Sequence, residues 1–510
     1  MKFGTVVAAQ ARRVPERVAV ACGAERLTFG ELNARSDRLA NALLGRGLRS
    51  GDRVVLYLGN GLPFVELFLA AAKAGAIAVP VPARLVGPEL RYIVGDTRPF
   101  AIAFEGSARP IVETARELAP DVVSIVAGSD AAPGELRLAD LVDAGAAAPS
   151  PWLPPALDDL MILYTSGTTG VPKGAIITHS NLITQTYMNV SAWKLTEDDR
   201  LLATTPLAHR IGLARVTCGL LLGATSVVMP RFDAADAMRL IDAEGVTVMG
   251  MVPTIARMLL DHLEGVAGGG ESLRVVLVTG EAFPVEVKRR LQARWPQVRM
   301  YSFFAMTEGG TVTTLGPTEQ LSHGATVGRP LPGVEVRIVD DNHHDVPTGD
   351  VGEILVRSGE PGRYTIMRGY YNRSEADAEA FVDGFFRTGD LGRFDADGYL
   401  SIVDRKKDMI LSGGLNIYSK EVERALESHP AVAEAAVVGV PDARFGEAVC
   451  AYVILNHGAS VTADELIERC RSLIASYKKP RDVRFVESLP RNSVGKVVKE
   501  SLRAGGTPRS

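Results

Sequence analysis

Cysteine is scarce: Cys22, Cys218, Cys450 and Cys470 are the only four in 510 residues, and none belongs to a CxxC pair or a Cys/His cluster. That spacing argues against a disulfide framework or a structural zinc site and suits a reducing cytoplasm. An excess of positive charge is also missing. The 56 Lys and Arg face 60 Asp and Glu, a formal net charge of −4, so no global basic field exists to hold a phosphate backbone and nucleic acid is not expected as a partner. Long hydrophobic runs are lacking too. Near the N-terminus the apolar run Phe3 to Ala9 is short, interrupted by Gly4 and followed by Arg12 and Arg13, unlike a signal peptide. The longest mostly apolar stretch lies between Arg215 and Arg231, too short and too Gly-interrupted to span a bilayer. A cytoplasmic protein without a membrane partner is expected. No repeat of fixed period or low-complexity tract occurs.

What is present is a chain of ordinary globular composition, 46% apolar and 23% charged, whose length implies about three to four folding units. Glycine is the one excess, 51 of 510 residues against a usual share of about 7%, and it concentrates in loops after apolar strands. Short β-branched runs (Arg53 to Leu58, Ala76 to Val81, Val122 to Val126, Leu160 to Tyr164, Thr225 to Met229, Val246 to Val252, Val275 to Thr279) alternate with amphipathic stretches such as Ala234 to Glu244 and Val285 to Trp295. This alternation predicts α/β layers on largely parallel sheets. From about Gly324 the texture changes to short strands with close turns (Val334 to Val339, Gly352 to Val356), predicting an antiparallel or barrel-like β subdomain. The Ala/Pro-rich stretch Ala146 to Ala156 reads as a surface connection.

Two turn signals, Asp395 to Gly398 and Ser412 to Gly414, bracket the charged run Asp404-Arg405-Lys406-Lys407-Asp408, and a hinge is placed there. Beyond it the pattern predicts a small α+β unit: helix Glu421 to Ser428, strands Glu434 to Val440 and Ala448 to Leu455, helix Glu465 to Ala475 and strand Val483 to Glu487. Thr462 and Glu465 have the spacing of a capping box for the second helix. The domain reading is therefore 1–406 for a large multi-subdomain N-terminal part, with two sheet-and-helix layers plus the small β subdomain, and 407–510 for a small mobile C-terminal domain.

The most informative segment is Tyr164-Thr165-Ser166-Gly167-Thr168-Thr169-Gly170-Val171-Pro172-Lys173-Gly174, directly after a strand. Consecutive hydroxyl and glycine residues from Thr165 to Gly170 offer N–H and O–H donors to phosphate oxygens, and Lys173 adds a cation. It is not a Walker A loop: Lys173 follows Pro172 rather than Gly, and Gly174 stands where the magnesium-binding hydroxyl belongs.

This segment resembles the phosphate loop of the adenylate-forming superfamily (acyl-CoA synthetases, luciferases and nonribosomal adenylation domains), and further motifs follow in the right order from end to end. Ser302-Phe303-Phe304-Ala305-Met306-Thr307-Glu308 is similar to the family's aromatic-Gly-x-Thr-Glu motif. The resemblance implies that Ser302, Phe303 and Phe304 lie at the nucleotide, with an aromatic ring flanking adenine, that Thr307 meets the α-phosphate and that Glu308 holds Mg2+. It places Gly280, Glu281 and Ala282 in the adenine-side loop, Asp390 of Arg387-Thr388-Gly389-Asp390-Leu391 on the ribose hydroxyls, and Arg405 on the nucleotide, with Lys407 as the pivot between domains. Leu489-Pro490-Arg491-Asn492-Ser493-Val494-Gly495-Lys496 resembles the closing motif and makes Lys496 the catalytic lysine. Pro206-Leu207-Ala208-His209-Arg210-Ile211-Gly212 resembles the segment bordering the acyl pocket, which puts His209 near the substrate carboxylate and Gly212 and Ala305 at the pocket. Ala305 replaces the usual glycine, and Ser302 stands where an amide often meets adenine. Gly413 and Gly414, in Ser412-Gly413-Gly414-Leu415-Asn416-Ile417-Tyr418, leave room for a pantetheine arm.

The activity implied is ligation of a carboxylic acid to a thiol: the acid and ATP form acyl-AMP with Mg2+, and CoA displaces AMP. The sequence ends fourteen residues after Lys496, which leads to the expectation of a stand-alone ligase using diffusible CoA on a compact aromatic or alicyclic acid. The alternative is an enzyme that loads the phosphopantetheine of a separate carrier protein.

Overall fold

The computed structural model describes residues 2–150, 158–165, 172–280, 283–491 and 497–503. Packing divides the chain into two compact units, one formed by Met1–Glu335 with Val356–Phe386 and the other by Val336–Leu355 with Arg387–Ser510. Among the described residues no helix is long and apolar enough to cross a membrane.

The first unit contains two α/β sheets. In the seven-stranded sheet the order is Leu136–Arg137, Val123–Val126, Ala101–Phe104, Arg53–Leu58, Ile77–Pro82, Asp159–Thr165, Lys173–Thr178. All neighbours run parallel except the last pair, a hairpin that returns antiparallel. Arg53–Leu58 is buried at every position after Arg53, as a strand covered on both faces must be, and its continuous apolar run follows from that. The nine-stranded sheet has a parallel centre made of Thr225–Val228, Arg200–Ala203, Val248–Met251, Val275–Val278 and Arg299–Met306. Antiparallel Gly310–Leu315 continues it on one side. The helix Ala234–Glu244 lies where its periodicity predicts, capped by the Asp233 side chain, with Ala237, Met238 and Ile241 buried against a core of Met249, Met251 and Leu259.

The run Arg215 to Arg231 resolves into two elements, the end of a helix Arg210–Leu222 and the strand Thr225–Val228. Gly223 breaks them apart with φ +79°, a left-handed turn that glycine adopts without a Cβ penalty.

The short strands expected after Gly324 are found as a five-stranded sheet that includes Glu335–Val339, Gly352–Arg357, Phe385–Phe394 and Leu400–Arg405. In the second unit Phe385–Phe394 pairs antiparallel with Leu400–Arg405 through Asp390 and Arg405. A second sheet of this unit orders Leu415–Ile417, Ile410–Ser412, Gly446–Leu455 and Val432–Asp442, with Asp482–Phe485 parallel to Gly446–Leu455. Helices Ser419–Glu427 and Ala463–Leu473 cover it through Val422, Leu426, Leu466 and Cys470. The predicted capping box is formed: the Thr462 hydroxyl accepts from the Glu465 amide at 3.2 Å and the Glu465 carboxylate accepts from the Thr462 amide at 2.8 Å.

Candidate active site

In an open α/β sheet, ligand-binding groups gather beyond the carboxyl ends of the strands. Thr165 closes the strand Asp159–Thr165, Gly280 follows Val275–Val278, and Thr307 and Glu308 follow Arg299–Met306. Strand pairing and side-chain contacts then join segments remote in sequence. The Thr165 hydroxyl donates to Glu308 Oε1 at 3.0 Å, and the Tyr370 hydroxyl donates to the same oxygen at 3.3 Å. Lys173 Nζ stands 5.4 Å from the centre of the Tyr370 ring, so Lys173 and Glu308 flank one tyrosine. Burial, with Glu308 beside it, pushes the Tyr370 hydroxyl well above the usual phenol range, so it stays protonated and able to donate.

Tyr370 owes its place to a short pairing along Lys173–Thr178: Ile176 N–H donates to Gly369 O at 2.9 Å and Tyr371 N–H to Gly174 O at 2.8 Å. The turn after Arg299–Met306 is tied by its backbone. The Arg210 guanidinium donates to Thr307 O, and Met367 N–H donates to Glu308 O at 2.7 Å. Both carbonyls are thus held, which fixes the backbone from which the Thr307 and Glu308 side chains extend. Burial lowers the Arg210 guanidinium to about 10, opposed by the Glu308 carboxylate; it remains a cation at neutral pH.

His209 precedes the helix Arg210–Leu222 as its N-cap, its amide donating to Pro206 O at 3.1 Å. Gly212, two residues into that helix, is needed for close approach. A Cβ there would lie 2.3 Å from Pro206 O and 2.6 Å from Thr205 O, so only glycine lets the helix pack against the loop that carries His209. Of the aromatic pair, Phe303 packs against buried Trp193 with ring centres 4.8 Å apart and planes tilted by 40°, and Phe304 points to the other face of its strand by the two-residue alternation. Ser302 is buried and its hydroxyl donates to Gln320 Oε1 at 3.1 Å. Ala305 packs with Phe303 and Trp193.

The second unit holds its own group of expected residues. Asp390, buried, pairs with Arg405 at 3.2 Å across adjacent strands. Lys406 bridges Asp341 at 2.8 Å and Glu353 at 3.1 Å, while Arg387 also holds Glu353 at 2.8 Å. Burial alone would raise the Glu353 carboxyl, but Arg387 and Lys406 together hold it below the usual range. Lys407 is exposed in the turn Lys406–Asp408, and its carbonyl accepts from Arg503 at 2.9 Å. Gly413 and Gly414 are exposed, with φ of +60° and +79°. Arg491 and Val497, on either side of Lys496, form an antiparallel bridge. Ser166, Gly167, Thr168, Thr169, Gly170, Glu281, Ala282 and Lys496 itself lie outside the described residues.

The pattern of the AMP-binding enzyme family matches residues 7–371, and that of the AMP-binding enzyme C-terminal domain matches residues 421–496. The chain belongs to the adenylate-forming, AMP-binding enzyme family. A relative named long-chain-fatty-acid–CoA ligase FadD13 of Mycobacterium tuberculosis is 35% identical over 486 residues, 94% of this chain and 93% of that one. Another, feruloyl-CoA synthase of Amycolatopsis sp, is 37% identical over 97% of both chains. Among solved structures, ATP-bound MatB from Rhodopseudomonas palustris superposes with a TM-score of 0.88 at 31% identity, over 99% of each chain.

For an AMP-binding enzyme, the oxygen donors around Glu308 fit Mg2+. A hard cation takes carboxylate oxygen and is commonly held through one carboxylate with the substrate's phosphates, and Glu308 presents its carboxylate among hydroxyls. A cleft of about 730 Å3, lined by Arg53, Asp159, Arg368 and Tyr370 among others, shares Tyr370 with this group but includes none of Thr165, Thr307 or Glu308. Converging polar groups, not volume, mark the site. Arg210 and Tyr370 escaped the sequence reading. Arg210 adjoins His209 in a segment already singled out, and that adjacency was the available signal; nothing local distinguishes Tyr370.

Proposed function

We propose that this protein is an ATP-dependent, AMP-forming acid–thiol ligase that makes acyl-AMP from a carboxylic acid, releases pyrophosphate and passes the acyl group to CoA. The observation that carries the reading is the meeting of Thr165 and Tyr370 on Glu308, which joins the end of the phosphate-loop strand to the Thr307-Glu308 turn. A carboxylate is a poor electrophile, and attack of its oxygen on the α-phosphorus, with pyrophosphate leaving, supplies the leaving group that it lacks. Catalysis is then positioning and charge neutralisation.

In this reading the loop Thr165–Lys173 cradles the phosphates, Thr307 donates to the α-phosphate and Phe304 flanks adenine. Asp390 accepts from the ribose hydroxyls, and Arg405 turns from Asp390 to the nucleotide. Mg2+ at Glu308 would neutralise phosphate charge. His209, Gly212 and Ala305 border the acid, Gly280 lies on the adenine side, and Lys496 bridges the two anions that must approach. The C-terminal domain, 407–510, then turns about Lys407, and the thiol enters past Gly413 and Gly414, attacks the acyl carbonyl and expels AMP. The aromatic wall of Trp193 and Phe303 beside Ala305 supports a compact aromatic or alicyclic acid.

The test is AMP release with a panel of carboxylic acids, with and without CoA and with a holo-carrier protein in its place. Acid-dependent pyrophosphate exchange and CoA-dependent AMP release are expected. Thioester formed only on the carrier protein would move the assignment to a carrier-loading enzyme, and no acid-dependent exchange would remove it.

A further inference from the structure

Arg215 lies on the helix Arg210–Leu222 and is 3% exposed, yet its Nε and Nη1 make no hydrogen bond among the described residues. Its guanidinium carbon stands 4.9 Å from the centre of the Trp193 ring. The stem crosses Gly250, where a Cβ would lie 2.9 Å from Arg215 Cδ and 3.3 Å from Nε, so the strand Val248–Met251 has been emptied of a side chain to admit it. Burial lowers the guanidinium's pKa. Hydrophobic neighbours surround the site: Trp193 packs against Phe303, and Ala305 packs on the same cluster. A buried, unpaired guanidinium is costly, and a well-packed apolar residue of similar size is often as stable or more so. Stacking on Trp193 offsets part of that cost but satisfies neither N–H.

Arg215 faces the same strand region as the residues expected around the acid. One helical turn earlier, Ile211 Cδ1 lies 3.9 Å from the position of a Cβ on Gly280, and Val252 Cγ1 lies 3.2 Å from it. Gly250 alternates onto the face of Val248, which belongs with Trp193 and Phe303 to one cluster that Ala305 also packs against. From His209 to Arg215 the helix advances six residues, an axial rise of about 9 Å. An acyl group whose reacting carboxylate lay at His209 and Thr307 would extend past Ile211 and Ala305 towards Trp193 and the open N–H groups.

We propose that Arg215 is a specificity residue at the far end of the acyl pocket and that it selects acids bearing a second hydrogen-bond acceptor, above all a carboxylate, at the end remote from the reacting carboxylate. This rests on the ligase reading and adds the class of acid. The bound acceptor completes the guanidinium's hydrogen bonds, whereas a plain hydrocarbon end leaves them open, and a site built to bond a polar group discriminates strongly against an analogue without one.

The test uses matched acids: adipate against hexanoate, terephthalate against 4-methylbenzoate, and 4-acetylbenzoate as a neutral acceptor. The readout is kcat/KM for acid-dependent AMP release by the full chain and by Arg215→Met. The wild type is expected to favour acceptor-bearing acids by on the order of 10³-fold. Arg215→Met is expected to erase that preference, retain the hydrocarbon acids and melt no lower than the wild type. Equal turnover within every pair, or a preference that survives Arg215→Met, overturns the inference and leaves the ligase standing. Absence of turnover with every acid removes the ligase reading and the inference together. Should Arg215→Met fail to fold, the wild-type ratios decide. The 4-acetylbenzoate arm distinguishes a neutral acceptor from an anion.

Discussion

Among the residues singled out for function, charged groups in the two units are held by different kinds of contact. In the first, Arg210 is buried and its guanidinium holds the carbonyl of Thr307, and Glu308 accepts from two hydroxyls positioned by strand pairing. In the second, Lys406 reaches Asp341 and Glu353 by long side-chain ion pairs, and Lys407, Gly413 and Gly414 are exposed. Backbone anchoring fixes geometry to within a bond length, whereas pairs between long side chains re-form at several angles. In the proposed reaction the first arrangement would suit a cradle for a nucleotide, and the second a part that changes position between half-reactions.

The largest effect expected is on the lysine. A unit charge at ~4 Å in an effective dielectric of ~20 is worth about 4 kcal/mol, so Lys496→Ala should slow acyl-AMP formation by on the order of 10²-fold or more. Thiolysis of preformed acyl-AMP should be spared, and equal loss in both half-reactions would break the comparison. Glu308→Gln keeps the hydroxyl contacts but removes the charge, and should cost adenylation on the order of 10²-fold, with the Mg2+ concentration for half-maximal pyrophosphate exchange displaced upward.

Glu353→Gln tests the ion-paired side by stability. It should cost about 2 kcal/mol, as for a hydrogen bond to charged groups, in thermal melts at neutral pH. Because Arg387 and Lys406 depress the carboxyl in the folded state, its contribution is present above the unfolded pKa of about 4.3 and is lost as pH falls through the lower folded value. Wild-type and Glu353→Gln melting temperatures should therefore converge below about pH 4.3. Lys407→Pro stiffens the turn by fixing φ and should slow thioester formation on the order of tenfold, about 1.4 kcal/mol in barrier, while leaving acyl-AMP formation alone. A tenfold loss in both would deny Lys407 its pivot role. The smallest effect is Thr462→Ala, which removes the cap of Ala463–Leu473 and should cost about 1 kcal/mol without altering either half-reaction.

Local signals carried much of the fold. Arg53–Leu58 and Ala234–Glu244 occupy the bounds their patterns predict, because a short continuous apolar run marks a buried parallel strand and an amphipathic crossover helix announces its own period. The helix Arg210–Leu222 was hidden in an apolar run: it and the following strand are both largely buried, and burial on all sides erases periodicity. In the site, Thr165, Thr307 and Glu308 were legible because motif order names them. Tyr370 was not, since its role arises only when it meets Glu308 across 62 positions. The open hydrogen bonds of Arg215 could be seen only once Trp193 and Gly250 were beside it.

The contact from Arg503 to the carbonyl of Lys407 ties the last described helix to the very turn about which motion is proposed. Lys499 adds a second fastening on Ser419 and Glu423, at 2.5 Å and 2.6 Å. Fluorophores placed on that helix and on Ser419–Glu427 would hold one separation throughout the reaction cycle, a built-in reference against which a third dye on the larger unit registers rotation as an angle rather than as loosening.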